Sequence, residues 1–172
     1  LFRSYADPAL PIVDRLETAE IRIDLARLAQ QQATETPAQK PPPPLPAEVV
    51  KVVRQRVQWA VAAAKTPEER QAITSEAAGL LGEIGDSSEA EQLVMAEVSR
   101  SQTPYYYMPT LAAFAEQRGD AKTALSWLEK GYETAVAPST RIAYGVRYVN
   151  GLLRLSPEDA GAIEATTGQL IQ

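Results

Sequence analysis

Residues 103–138 read TPYYYMPTLAAFAEQRGDAKTALSWLEKGYETAVAP and span one period of a repeated pattern. The turn in this stretch, Gly119-Asp120, lies 34 positions after the same dipeptide at Gly85-Asp86. The break at Thr103-Pro104 recurs at the same separation as Ala137-Pro138. A 34-residue period with two helices, a glycine turn and a proline break is typical of stacked helical hairpins. We therefore expect an all-α fold of about eight helices, arranged as stacked antiparallel helical hairpins.

The sequence before these repeats predicts a helix followed by a rigid segment. Residues 1–33 contain an N-terminal helix, expected from about Ala9 to Gln31, with apolar residues on two stripes. The first stripe is Ile12, Leu16, Ala19, Ile23 and Ala26, and the second is Ile21, Leu25 and Leu28. Residues 34–46 carry six prolines and predict an extended linker, or alternatively a ligand for an aromatic groove. Residues 47–172 are predicted to form the helical-hairpin repeat domain, beginning with a helix from about Ala47 to Lys65.

Local capping signals mark the helix boundaries. Thr66, Pro67 and Glu69 fit a capping box at the start of a helix, and Ser156, Pro157 and Asp159 show the same signature. Gly119 is predicted as a left-handed residue that ends a helix. Asp86 and Asp120 follow glycines and are predicted to begin the next helices, where a negative charge is favourable.

Composition limits the possible chemistry. The chain contains no cysteine and no histidine, which removes thiolate nucleophiles, imidazole bases and most transition-metal sites. We expect no metal and no cofactor. An excess of 22 acidic over 17 basic residues argues against nucleic acid as a partner, and no apolar run is long enough for membrane insertion. We expect a protein that is not an enzyme, and a carboxylate-dependent hydrolase is the less favoured alternative.

The aromatic residues concentrate between positions 105 and 148 and indicate the working surface. The candidate peptide-binding residues are Tyr106, Arg141, Tyr144, Arg147 and Tyr148, because arginine forks onto carboxylates and tyrosine offers rigid contact area. An alternative interpretation places Tyr144 and Tyr148 in a seam between hairpins. The residues predicted to be in the core are Tyr107, Trp127 and Tyr132, and the predicted inward stripe of the helix around position 146 is Ile142, Val146, Val149 and Leu153.

The repeat resembles the tetratricopeptide consensus through Leu111, Ala112, Gly119, Asp120, Ala124, Leu128 and Pro138. It departs from that consensus at Gly131, where the family usually has alanine, and in the late position of Pro138. A second resemblance is to the helical C-terminal region of bacterial exported thioredoxin-like proteins. It rests on residues 101–108, 118–120, 127–128, 137–138, 141–150 and 152–157.

The resemblance to thioredoxin-like proteins implies a neighbouring domain and a cellular compartment, and it assigns no redox residue to this chain. A thioredoxin-like domain would precede this chain, and the compartment would be the periplasm. The first residue is Leu1 and not methionine, which favours a processed or trimmed chain. The expected function is a non-enzymatic module that binds a protein, an extended peptide or a fused upstream domain. The alternative is a structural spacer or a dimerisation domain, with a homodimer formed through the N-terminal helix.

Overall fold

A computed structural model describes residue 7 and residues 9–33 and 43–171 of the chain. These described residues form eight α-helices, one 3₁₀ turn and no strand. The helices are α1 (Ile12–Ala33), α2 (Ala47–Ala63), α3 (Pro67–Glu83), α4 (Ser87–Arg100), α5 (Met108–Gln117), α6 (Ala121–Thr134), α7 (Pro138–Leu155) and α8 (Ala160–Leu170). The 3₁₀ turn is Pro104–Tyr106. The prediction of an all-α chain with about eight helices is confirmed.

Contacts between residues divide the chain into two compact units, with the boundary inside α4. Unit 1 is Leu1–Leu93 and unit 2 is Val94–Gln172. In unit 1, α1, α2 and α3 each pack on the other two. In unit 2, consecutive helices from α5 to α8 pack on one another, and the 3₁₀ turn packs on α5 and α6. The division into residues 1–33, 34–46 and 47–172 stays a prediction, while α1 shares a core with the first two helices of the predicted repeat domain.

Two apolar stripes run along α1, as predicted, and only one of them enters the core. Leu16, Ala19 and Ile23 are buried. The residues of the second stripe, Ile21, Leu25 and Leu28, are exposed. The buried residues that α2 and α3 contribute to unit 1 are Val53, Val57, Ala60, Ile73, Ala77, Ala78, Leu80 and Leu81. Unit 1 therefore keeps an apolar helix surface in contact with solvent.

Short-range hydrogen bonds fix several helix boundaries as predicted. The Thr66 hydroxyl accepts the backbone N–H of Glu69, and the Glu69 carboxylate accepts the backbone N–H of Thr66, which completes the capping box of α3. Gly85 and Gly119 have positive φ angles of 87° and 79°, the left-handed conformation that glycine adopts without strain. Asp120 caps α6 by accepting the Thr123 N–H at 3.0 Å.

The predicted start of α8 at Ser156 is wrong. The residue that caps α8 is Asp159, whose carboxylate accepts the Ala162 N–H at 3.0 Å. The Ser156 N–H instead bonds to the carbonyl of Leu152 and completes the last turn of α7. Because Ser156 still closes one helix, the chain needs a further turn through Pro157 before the next helix can begin.

The proline-rich segment is partly visible. Pro37, Pro41 and Pro42 lie outside the described residues. Residues 43–46 are not helical, as expected, and α2 begins immediately after them. Arg27 of α1 donates a hydrogen bond to the carbonyl of Pro43, and Gln30 donates one to the carbonyl of Pro44 at 2.8 Å. The carbonyls of Pro43 and Pro44 are thus bonded to α1, whereas the Pro46 carbonyl accepts the backbone N–H groups of Val49 and Val50 at the start of α2.

The predicted inward stripe of α7 is wrong. Ile142 and Leu153 are each 53% exposed and Val146 is 47% exposed, whereas Tyr144 and Tyr148 are only 9% and 8% exposed. Two glycines explain the reversal. A Cβ on Gly151 would overlap Leu128 of α6, and a Cβ on Gly145 would overlap Leu170 of α8. The bare backbone at these positions lets the neighbouring helices approach the tyrosine face closely, and that face buries more area than the aliphatic one.

Candidate functional site

A tyrosine cluster joins α7 to the 3₁₀ turn of unit 2. The rings of Tyr105 and Tyr144 meet edge to face, with centroids 5.5 Å apart and an interplanar angle of 83°. Tyr106 tilts against Tyr105 at 4.8 Å and is half exposed, while Tyr105 is buried. Edge-to-face pairs of this kind stabilise a cluster beyond the area they bury. The cluster therefore holds the Tyr105 and Tyr144 rings in place beneath the half-exposed Tyr106.

Gly131 on α6 makes room for Tyr144. A Cβ placed on Gly131 would lie 3.1 Å from Cδ1 of Tyr144 and 3.6 Å from Cβ of Met108. Glycine at this position therefore has a local physical reason, because an added methyl group would press on the tyrosine ring.

Two arginines of α7 lie over aromatic rings on different sides of the helix. The guanidinium carbon of Arg147 is 5.6 Å from the Tyr144 ring centroid, and that of Arg141 is 5.1 Å from the Tyr132 centroid. Both arginines are exposed, and neither has a carboxylate partner among the described residues. Since six helical residues turn by about 600°, the two arginines point about 120° apart. The predicted five-residue set is therefore not one continuous groove.

The side of α7 that carries Arg147 continues to Arg154, two turns further on. Arg154 forms a two-pronged ion pair with Glu116 of α5, with Nη2–Oε1 at 2.6 Å and Nε–Oε2 at 3.2 Å. Asn150 lies between the two arginines on this side and is exposed. We call the exposed groups Tyr106, Arg147 and Asn150, with the Arg154–Glu116 pair, the Tyr–Arg surface.

Burial perturbs the two tyrosines beneath this surface. Desolvation raises the pKa of Tyr144, with the Arg147 charge opposing the shift and Tyr106 and Tyr105 adding to it. Desolvation, followed by the charge of Glu129, raises the pKa of Tyr148 to about 12. Both phenols are therefore neutral at physiological pH. Their rings pack in the core cluster of unit 2.

The structure places the five predicted site residues in three environments. Tyr106 and Arg147 belong to the Tyr–Arg surface, and Arg141 lies on the flank near Tyr132. Tyr144 and Tyr148 fill the seam against α6, as the alternative interpretation proposed. Among the predicted core residues Tyr107 and Tyr132 are buried, while Trp127 is half buried with Lys130 5.3 Å from its ring centroid.

Sequence reasoning missed Glu116, Asn150 and Arg154. Arg154 follows Arg147 by seven residues, the spacing of one helix face, so that arginine could have been found from the sequence. Glu116 could not, because it is 38 residues away from Arg154 in sequence and its carboxylate reaches the guanidinium only in the folded unit.

Unit 1 contains a second polar feature. A cleft of about 270 Å³ is lined by Glu20, Ile23, Asp24, Arg27, Glu76, Gly79, Leu80 and Glu83. Burial raises the pKa of Glu76, and the like charges of Glu20 and then Glu17 raise it further. Within the described parts of the chain, no group of three or more Asp or Glu side chains is arranged to hold a metal ion.

No protein-family model matches the sequence, and neither the curated proteins nor the solved structures include a significant match to it. Across the described ranges, no helix has both the length and the apolar character needed to cross a bilayer.

Proposed function

We propose that this chain is a non-enzymatic interaction module whose unit 2 binds an extended, acidic peptide segment at the Tyr–Arg surface. The observation that carries the proposal is the exposed Arg147 guanidinium, which lies over the ring of Tyr144 and has no carboxylate partner in the described residues. A guanidinium held over an aromatic ring is preorganised, and its N–H groups remain available for a carboxylate. Such a group favours a planar anionic partner over a neutral one.

The neighbouring groups suit an extended chain. Tyr106 offers a half-exposed ring beside Tyr105, and Asn150 offers an amide that can pair with a peptide bond. Arg154 is already paired with Glu116, so it braces the surface between α5 and α7 and leaves Arg147 as the anion-recognising residue.

The charge of unit 2 permits an acidic ligand. Residues 94–172 carry seven Lys and Arg against eight Asp and Glu, whereas the whole chain has a net charge of −5. Most of the negative charge therefore belongs to unit 1. At physiological ionic strength, charges more than about 8 Å away are largely screened, so local contacts govern the binding.

The wider setting remains part of the proposal. The resemblance to the helical region of bacterial exported thioredoxin-like proteins supports a periplasmic location and a fused redox domain as the natural partner. A second candidate function, a dimerisation domain, is favoured by the exposed Ile21, Leu25 and Leu28 of α1. Sedimentation of an Ile21→Glu, Leu25→Glu double variant beside the parent chain tests it, since a parent that stays monomeric removes the dimer.

The test of the peptide proposal is a selection followed by a titration. A library of random ten-residue peptides is selected on the protein, and we expect Asp and Glu to be enriched. The affinity of a selected peptide should fall about tenfold or more with Arg147→Ala, because a charged hydrogen bond contributes about 1.5–3 kcal/mol. Arg147→Lys should recover only part of the loss, since lysine cannot form a fork.

Lys122→Ala is the matched control. It removes one exposed positive charge from unit 2 outside the Tyr–Arg surface and should leave the affinity unchanged. Equal losses with Lys122→Ala and Arg147→Ala would mean that only net charge matters. Selection without acidic enrichment would refute the proposed ligand chemistry.

A further inference from the structure

The exposed side of α7 forms an apolar stripe with the spacing of a helix-packing seam. Ile142, Val146, Val149 and Leu153 follow one another by four, three and four residues. Such spacing is what a helix uses to receive another helix. The stripe borders a cleft of about 310 Å³, lined by Ile142, Val146, Val149 and Asn150 of α7, by Thr167 and Leu170 of α8, and by Ile171.

The 34-residue repeat shows what this cleft corresponds to. The α5 residues 34 positions before Ile142, Val146 and Val149 are Met108, Ala112 and Ala115. The capping aspartates Asp120 and Asp159 align α6 with α8, and in that alignment Thr167, Leu170 and Ile171 correspond to Leu128, Gly131 and Tyr132. All six residues of the earlier hairpin are buried. Their six counterparts line the open cleft.

The three α6 residues of the buried set and Ala112 of α5 face α7. Gly131 faces Tyr144 of α7, and Cε2 of Tyr132 would lie 3.0 Å from a Cβ on Gly145. Leu128 reaches the bare backbone of α7 at Gly151. Ala112 belongs to the same core cluster as the α7 residues Tyr144 and Tyr148. The α5–α6 hairpin thus forms a seat for one helix, and the α7–α8 cleft repeats that seat without an occupant in the described chain.

We propose that the α7–α8 cleft binds a single amphipathic helix of a partner protein, in the way that the α5–α6 hairpin holds α7. The cleft continues this established helix interface by one repeat. Its lining contains no charged residue, so the contact face of the helix must be apolar. Asn150 is the one residue that the cleft shares with the Tyr–Arg surface, and the helix proposal does not depend on the peptide proposal.

Residue sizes define the partner helix further. Leu170 of the α7–α8 cleft corresponds to Gly131 of the α5–α6 hairpin. Gly131 leaves space for Tyr144, whereas the Leu170 side chain fills the corresponding space, so the partner helix has a small residue where α7 has Tyr144. Thr167 and Ile171 are smaller than Leu128 and Tyr132, so the partner has room for side chains where α7 has Gly145 and Gly151. Close packing makes these size differences decisive.

The dimensions favour a helix over a second copy of the chain. From Ile142 to Leu153 the stripe is about 16 Å long, which matches a helix of about three turns. The cleft is lined by seven residues. A stable dimer usually buries about 800 Å² on each partner, from about 20–30 residues a side, which is well above this number.

A defined probe tests the proposal with the intact chain. The probe is a fluorescein-labelled peptide of sequence 138–155 with Tyr144→Ala, Gly145→Ala and Gly151→Ala, which adapts α7 to the cleft. A second peptide keeps both glycine replacements and retains Tyr144. We expect saturable binding of the first peptide, and binding about tenfold weaker for the second because its tyrosine meets Leu170.

Protein variants locate the binding. Val146→Glu and Ile142→Glu each place a charge in the cleft and should weaken probe binding about tenfold or more. Val136→Glu is the matched control, because Val136 is exposed between α6 and α7 and does not line the cleft. It should leave the affinity unchanged. Circular dichroism establishes that the variants keep the helical content of the parent.

Three results would overturn the proposal. The first is the absence of saturable probe binding up to about 1 mM, a concentration that corresponds to only about 4 kcal/mol of affinity. The second is equal weakening by Val136→Glu and Val146→Glu. The third is a dimer of the parent chain that Val146→Glu abolishes, which would assign the cleft to a second copy. Arg147→Ala removes a side chain that does not line the cleft, so it should weaken acidic-peptide binding and leave probe binding unchanged, which tests the two surfaces separately.

Discussion

The Gly145→Ala variant tests which face of α7 is buried, because both interaction surfaces depend on that orientation. A Cβ on Gly145 would overlap Cδ2 of Leu170 and lie 3.0 Å from Cε2 and 3.1 Å from Cδ2 of Tyr132. The leucine end can move, but the tyrosine ring is buried and its hydroxyl is bonded to Gln169 at 3.2 Å. The added methyl group therefore forces the packing between α6, α7 and α8 to shift.

The expected magnitude follows from two opposing effects. Replacing glycine by alanine inside a helix stabilises it by about 1 kcal/mol. Overpacking a filled core costs about 1–3 kcal/mol, so we expect net destabilisation of unit 2 by about 1 kcal/mol. Gly168→Ala on α8 is the control, since no heavy atom lies within 4 Å of its would-be Cβ. It should gain about 1 kcal/mol from helix propensity alone.

Thermal unfolding of unit 2 can be followed by one tryptophan. The chain has two tryptophans, Trp59 in unit 1 and Trp127 beside the core of unit 2. A Trp59→Phe background leaves Trp127 as the only fluorescent indole. A difference of about 2 kcal/mol between the two alanine variants corresponds to roughly 8–16 °C in Tm for a domain of this size.

Equal stabilisation of unit 2 by Gly145→Ala and Gly168→Ala would contradict the buried position of Gly145. Such a result would mean that Gly145 faces open space. The aliphatic stripe of α7 would then be the buried face, and the cleft on α7 and α8 would not be available to a partner.

Three further predictions concern single groups. Glu76→Gln should raise the Tm of unit 1 at pH 7 and have little effect near pH 3.5. The reason is that the pKa of Glu76 is raised in the folded protein, so its charged form destabilises the fold as pH rises. Equal effects on Tm at both pH values would contradict this. Tyr148→Phe should reduce the loss of stability that the parent shows between pH 10 and about 12 in alkaline denaturation. Folding keeps this phenol protonated until the pH passes its raised pKa. An unchanged alkaline profile would mean that ionisation of Tyr148 does not contribute to alkaline unfolding. Thr66→Ala should lower the urea-unfolding free energy of unit 1 by about 1 kcal/mol through loss of the α3 cap, and unchanged stability would show that the cap contributes nothing.

Local signals in the amino-acid sequence were enough to predict the helices and most of their ends. Helix ends depend on hydrogen bonds and backbone angles within a few residues. The sequence was therefore enough to predict the capping box at Thr66 and the left-handed conformations of Gly85 and Gly119. The missing cysteine and histidine likewise limit the available chemistry without any structure. The start of α8 was missed because Ser156 was already used by the last turn of the preceding helix.

Packing between helices determines which face of α7 is buried, and therefore which residues can reach a partner. Helical periodicity in α7 offers an aliphatic stripe and a tyrosine stripe, and a single helix contains no information that chooses between them. The choice comes from Leu128, Tyr132 and Leu170, which are distant in sequence and pack against the glycines of α7. The same packing separates Arg141 from Arg147, pairs Arg154 with Glu116 and leaves Ile142 and Val146 exposed, because side-chain burial is a property of neighbouring helices and not of one helix alone.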